Sequence, residues 1–132
     1  MKLLRLALLL TLLSTPLLAA SLSDFTITAG DGRVVVRWES ADETGLMRYT
    51  LERSVDGSAF ATVVNITPRG NHQSYQYIDT DLYSMDRNPR QLAYRIKFVD
   101  RNGGTSYSNT RETTIIVSSI RRTWGSIKAM FR

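Results

Sequence analysis

The chain offers few residues with the chemistry of a catalytic or metal site. His72 is its only histidine, it lies in a polar stretch beside Asn71 and Gln73, and the chain has no cysteine. A catalytic triad needs a nucleophile, a base and an orienting group, and protein zinc sites are built mainly from cysteine and histidine. We therefore expect a solvated His72, no cofactor, no metal ion and no enzyme activity.

Carboxylates form two clusters of the kind that binds calcium when their oxygens converge. Glu39, Asp42 and Glu43 fall close together, and so do Asp79 and Asp81. Neither cluster has the residue spacing of a calcium-binding loop. The sequence therefore predicts solvated loop acids at all five positions.

Short segments with alternating apolar and polar residues occupy most of residues 25–117, separated by turn signals such as Asp56-Gly57 and Asn102-Gly103. A period of two places alternate side chains on opposite faces of a strand, so Tyr49 and Leu51 should point inward to a core, and Thr50 and Glu52 should point outward. We predict an all-β fold, an antiparallel β-sandwich of about seven strands, whose last strand is interrupted between residues 107 and 113. The predicted core residues are Trp38, Tyr49, Tyr94 and Phe98.

Three segments stand in a characteristic order and spacing: VVVRW at 34–38, YTLERS at 49–54 and LAYRIKFVDRNGGTSYS at 92–108. Together they resemble the fibronectin type III family of immunoglobulin-like sandwiches. The stretches WESADET at 38–44 and LERSVDGSAF at 51–60 are most similar to its bacterial exported-protein branch. The resemblance covers nearly all of residues 23–117. It implies a buried tryptophan on the second strand at Trp38, and a tyrosine corner at Tyr94 whose hydroxyl bonds to backbone upstream.

The first 20 residues have the order of an export signal. Lys2 and Arg5 precede an apolar run at 6–13, and small residues follow at 19–21. The run is short for a membrane span, although an uncleaved anchor is the alternative. We expect residues 1–20 to be a signal peptide, and the protein to be periplasmic, secreted or on the cell surface.

Charge is concentrated at the two ends of the chain. Of the formal net charge of +5, residues 1–20 contribute +2 and residues 118–132 contribute +4, which leaves −1 for residues 21–117. Nucleic-acid-binding domains carry a basic patch or stripe over the fold. The near-neutral body therefore predicts no nucleic-acid partner.

Residues 118–132 break the β pattern. Their large apolar residues recur at spacings of four, three and four, which places them on one face of a helix, and basic residues fill much of the rest. The sequence predicts a short amphipathic helix that contacts an anionic membrane surface, docks to a partner, or packs on the sandwich itself. The expected contact residues are Ile120, Arg121, Arg122, Trp124, Ile127, Lys128, Phe131 and Arg132.

These features favour a non-catalytic exported module for interaction or adhesion. Its partner would be another protein or a component of the cell envelope, with the basic tail at 118–132 as a second contact element. The alternative is a structural or spacer subunit associated with a membrane surface, whose sandwich is only a rigid body.

Overall fold

The computed structural model describes residues 20–30, 32–82 and 89–116. Most of the expected signal peptide and the whole basic tail, with its predicted helix and contact residues, lie outside this part of the chain. The described residues form eight strands and no helix: β1 Ser21–Gly30, β2 Arg33–Asp42, β3 Leu46–Val55, β4 Ala61–Ile66, β5 Ser74–Asp79, β6 Arg90–Asp100, β7 Thr105–Tyr107 and β8 Arg111–Ile115. Within these ranges no helix has the length and apolar character needed to cross a membrane.

The strands form two antiparallel sheets. One sheet has the order β1-β2-β5, and the other has the order β4-β3-β6 with β7 and β8 both paired to the far edge of β6. Since β7 and β8 follow one edge in succession, the prediction of a single interrupted last strand is confirmed. The predicted all-β class is also confirmed, and the two sheets are consistent with a β-sandwich.

A single hydrophobic core lies between the sheets and is built largely from the alternating positions of β2, β3 and β6. The Trp38 ring stacks on Tyr75, with ring centroids 5.3 Å apart and an interplanar angle of 9°. Tyr49 meets both rings edge-on and also contacts Phe98. The residues expected in the core are all buried: Trp38, Tyr49, Tyr94 and Phe98.

The outer side of the five-stranded sheet is less exposed than its alternation suggests. Glu52 accepts a hydrogen bond from Arg95 at 2.8 Å, and the Arg95 guanidinium lies over the rings of Phe60 and Tyr107 at 3.9 and 4.0 Å. Thr50 and Glu52 lie on the outer face of the sheet, where the alternation places them, but both are buried. Neighbouring side chains on the same outer face cover them.

The strand directions sort the connections into two ends. Strands β2, β4 and β6 finish at one end, so the loops 43–45, 67–73 and 101–104 meet there. We call this the loop end. Residue Ala20, just before β1, lies at the loop end, and Ile116, just after β8, lies at the opposite end.

Candidate functional site

The loop end carries a groove of about 540 Å³ between the β2–β3 and β4–β5 loops. Binding residues of proteins are often found on loops that a rigid scaffold positions. Met47 is 46 % exposed beside this groove, which is a large exposed fraction for a long apolar side chain. The groove is lined by Glu43, Thr44, Gly45, Leu46, Met47, Thr67, Pro68, Gly70, Asn71 and Arg101.

A buried carboxylate underlies the groove. Glu43 is 8 % exposed, and its Oε2 accepts hydrogen bonds from the hydroxyls of Tyr49 at 2.5 Å and Tyr75 at 2.6 Å. Its Oε1 accepts the backbone N–H of Gly70 at 2.5 Å. Hydrogen bonds to a charged acceptor are stronger than neutral ones. Glu43 therefore joins the β2–β3 loop both to the aromatic core and to the β4–β5 loop.

Further hydrogen bonds join the same two loops. The Ser40 hydroxyl donates to the carbonyl of Gly70 and accepts the N–H of Gln73, both at 2.9 Å. The N–H of Glu43 donates to Oδ1 of Asn71 at 2.8 Å. Since these contacts fix backbone as well as side chains, the two loops form one ordered unit.

The second acidic cluster also contains a buried carboxylate. Asp79 is 1 % exposed, and its Oδ2 accepts hydrogen bonds from Arg53 Nη1 at 2.6 Å and from the Tyr94 hydroxyl at 2.7 Å. This contact crosses from one sheet to the other, because Asp79 belongs to β5 while Arg53 and Tyr94 belong to β3 and β6. It stabilises the packing of the two sheets.

The expectation of solvated acids is therefore wrong at Glu43 and Asp79. Glu39 and Asp81 are exposed, and Asp42 is half-buried with its Oδ1 accepting hydrogen bonds from Thr44. The buried acids were missed because most of their partners, such as Tyr75 for Glu43 and Arg53 for Asp79, are distant in the chain. The inward-facing tyrosines could have indicated these buried acids, since a buried tyrosine hydroxyl usually needs a hydrogen-bond partner.

The tyrosine corner expected at Tyr94 is also corrected. Its hydroxyl donates to the side chain of Asp79, and the implied bond to upstream backbone is not the one formed. The carboxylate lies buried at the end of β5, within reach of the hydroxyl. A charged carboxylate is a stronger acceptor than a neutral carbonyl, which accounts for the exchange.

The buried tyrosine hydroxyls of both clusters stay protonated at neutral pH. Burial, followed by the hydrogen bond to the carboxylate, raises the pKa of Tyr49 and Tyr94 far above the ordinary value, so neither hydroxyl acts as a base at neutral pH. His72 is exposed, as expected, and has a left-handed backbone with φ of 55°. In the described ranges, no three or more histidine, cysteine or acidic side chains gather to hold a metal ion.

We expect the folded state to lose stability as the pH rises above about 10, where tyrosines of the unfolded chain begin to lose protons. Burial raises the pKa of Tyr49, Tyr75 and Tyr94 in the folded state. Above pH 10 the folded state then binds more protons than the unfolded state, so Tyr49 and Tyr94 each lower the free energy of unfolding by about 1.4 kcal/mol per pH unit, and Tyr75 lowers it further. Below pH 10 the tyrosines are protonated in both states, and their full contribution to the free energy of unfolding is present.

Urea denaturation at a series of alkaline pH values measures this loss. The Tyr94→Phe variant should show a shallower fall of the unfolding free energy with pH, because it has one titrating group fewer. Equal slopes for the variant and the parent would contradict the assignment of Tyr94.

Comparison with known proteins adds no assignment. No protein-family model matches the chain, and no curated protein is similar to it at a significant level.

Proposed function

We propose that this protein is a non-catalytic exported interaction module, and that the loop end is its main contact surface. The observation that carries the proposal is the loop pair held by Glu43, Ser40 and Asn71 beside an open groove. Loops that are ordered before binding reduce the entropy lost when a partner docks. The partner is a protein or another component of the cell envelope.

We also propose that the domain is of the fibronectin type III kind. Trp38 lies buried on the second strand, as in that family. The order of the strands in the two sheets also supports the assignment to this family. In constant-type immunoglobulin domains the fourth strand joins the sheet of the first, second and fifth strands. Here β4 pairs with β3 in the other sheet. The side-chain partner of Tyr94 is a departure from the family pattern.

The absence of catalysis in this proposal is supported by the contacts of the buried carboxylates. The carboxylates of Glu43 and Asp79 accept hydrogen bonds from three tyrosine hydroxyls and one arginine. Catalytic acids and bases must instead exchange protons with a substrate that reaches them. These two carboxylates stabilise the fold and the loop end.

Met47→Asp tests the role of the loop end. We expect the immobilised variant to lose the envelope proteins that the parent retains, because a charge replaces an apolar side chain beside the groove. Ile116→Asp is the matched control, since Ile116 is 60 % exposed at the opposite end. Equal retention by Met47→Asp and the parent would exclude the loop end as the contact surface.

The basic tail at 118–132 is proposed as the second contact element. The spacer alternative is favoured by one observation, that Ala20 and Ile116 lie at opposite ends of the described domain. In this arrangement the domain keeps the residues before Ala20 apart from those after Ile116. Flotation with anionic vesicles, with and without residues 119–132, separates a tail that binds lipid from one that binds a partner.

A further inference from the structure

The outer face of the five-stranded sheet carries a groove of about 690 Å³ toward the end opposite the loop end. Its floor is made of small side chains, since Ser54 of β3 and Ala93 of β6 lie opposite each other on the face away from the core. The β3–β4 turn, residues 56–60, forms one wall, and β8 forms the other. Small residues between two walls leave a trough that larger side chains can fill. We call it the outer groove.

The wall formed by the β3–β4 turn is apolar at Phe60. The Phe60 ring borders the outer groove, and the guanidinium of Arg95 lies over the ring at 3.9 Å. Arg95 in turn donates from Nε to the carboxylate of Glu52 at 2.8 Å, so its positive charge is already compensated within the domain. Phe60 therefore offers apolar surface to the groove without an unpaired cation beside it.

The charge of the outer groove is negative. The described residues that line it include two acids, Asp56 and Glu112, and no lysine or arginine. Asp56 is paired with Arg90 at 2.8 Å, whereas Glu112 is exposed and forms no ion pair with a described residue. The neighbouring Arg111 is bound elsewhere, since its Nε donates to the carbonyl of Phe25 at 3.0 Å. Glu112 therefore leaves an uncompensated carboxylate on the wall formed by β8.

The strand that carries Glu112 is also the last strand before the basic tail. β8 runs toward the end of the sheet where the outer groove lies, and it ends at Ile115. As the helix that the sequence predicts, residues 119–132 span about 21 Å, at a rise of about 1.5 Å per residue. The distance across the sheet from β8 over β6 to β3 is about 10 Å, at about 4.8 Å per strand. The tail is therefore long enough to turn back and cover the groove.

We propose that the basic tail folds back onto the outer groove of its own domain, with its apolar residues against Phe60 and its basic residues beside Glu112. The tail contributes +4, which complements the acidic lining, and burial of a large side chain such as Trp124 favours docking. The tail is also tethered next to the groove, so its effective concentration there exceeds that of a free partner. Docking covers the second contact element in the free protein. This covering rests on the function proposed above, whereas the docking itself does not.

Because the chain contains no cysteine, pairs of introduced cysteines can locate the tail. Ala93→Cys on the groove floor is combined with a cysteine at position 120, 124 or 127. Under mild oxidation, we expect at least one pair to form an intramolecular disulfide about tenfold faster than the same tail cysteine combined with Gln76→Cys, since docking raises the effective concentration of one thiol at the other. Gln76 is the matched control, because it is exposed on the other sheet. Intact mass and non-reducing electrophoresis identify the product.

Glu112→Lys tests the contribution of charge. In a Trp38→Phe background Trp124 is the only tryptophan, so acrylamide quenching of fluorescence reports on the tail alone. We expect weaker quenching of Trp124 in the protein than in the isolated peptide 117–132, and a rise toward the peptide value in Glu112→Lys. Glu39→Lys should quench like its parent, because Glu39 is an exposed acid on the other sheet. Circular dichroism shows whether both lysine variants remain folded.

Equal disulfide rates at the two sheets would overturn the proposal, as would quenching of Trp124 that is equal in the protein and the isolated peptide. Disulfide-linked dimers in place of the intramolecular product would assign the contact to a second copy and overturn it as well. These readouts are independent of the loop end, whose function is measured by the envelope proteins that Met47→Asp retains. A failure of that function therefore leaves the disulfide rates and the quenching unchanged.

Discussion

Replacing Trp38 with alanine is expected to lower the free energy of unfolding by about 3–5 kcal/mol, the range for large-to-small changes at a buried aromatic residue. Trp38 is buried between the sheets, where its ring stacks on Tyr75 and meets Tyr49 edge-on. The substitution leaves a cavity where three aromatic rings now meet. Urea denaturation followed by circular dichroism measures the loss.

Trp38→Phe is the companion variant. It keeps an aromatic ring in the core and removes Nε1, which is buried and has no hydrogen-bond partner among the described residues. Because an unpaired buried donor is itself unfavourable, part of the lost packing energy is offset. We expect a much smaller loss than for alanine. Parent-like unfolding of Trp38→Ala would contradict the assignment of Trp38 to an inward position of β2.

The second large effect is expected at Glu43. Glu43→Ala removes the acceptor of two tyrosine hydroxyls and of the Gly70 N–H. Each buried donor left without a partner costs about 1–3 kcal/mol, and we expect a total loss of about 3–5 kcal/mol after water enters the space. Glu39→Ala is the matched control, since Glu39 is exposed on the same strand region. Its effect should stay within about 0.5 kcal/mol.

Hydrogen exchange separates the local role of Glu43 from a general loss of stability. The backbone amide of Gly70 should exchange much faster in Glu43→Ala than in the parent, while amides in the centre of β2 and β6 keep more of their protection. If the Gly70 amide exchanged at the parent rate, Glu43 would not be what orders the β4–β5 loop.

The strands were predictable because each is encoded by neighbouring residues. Alternation in β2 and β6 identifies Val34, Val36 and Trp38, and then Tyr94 and Phe98, as inward positions, and all five are buried. The interruption between β7 and β8 was also visible as a local break in the pattern. A period of two needs no knowledge of which strand lies beside which.

The acids were not predictable in the same way. Glu43 meets Tyr75, which is 32 positions away, and Asp79 meets Arg53, which is 26 positions away. Both carboxylates lie in polar stretches that resemble ordinary loops. Whether such a group is solvated or buried depends on the pairing of strands, which a single sequence does not specify. The unexpected burial of Glu52 has a similar origin in its neighbour Arg95.

The placement of Ala20 and Ile116 at opposite ends has a mechanical consequence. A pulling force applied between them acts along the strands, and antiparallel hydrogen bonds lie perpendicular to that direction. The force then shears the hydrogen bonds between β1 and β2 and those between β8 and β6. Within each pair of strands, all the hydrogen bonds bear the force at the same time and do not open one after another. Nine residues of β1 have a partner on β2, whereas five residues of β8 have a partner on β6. Under such tension, β8 is the strand that should slip first.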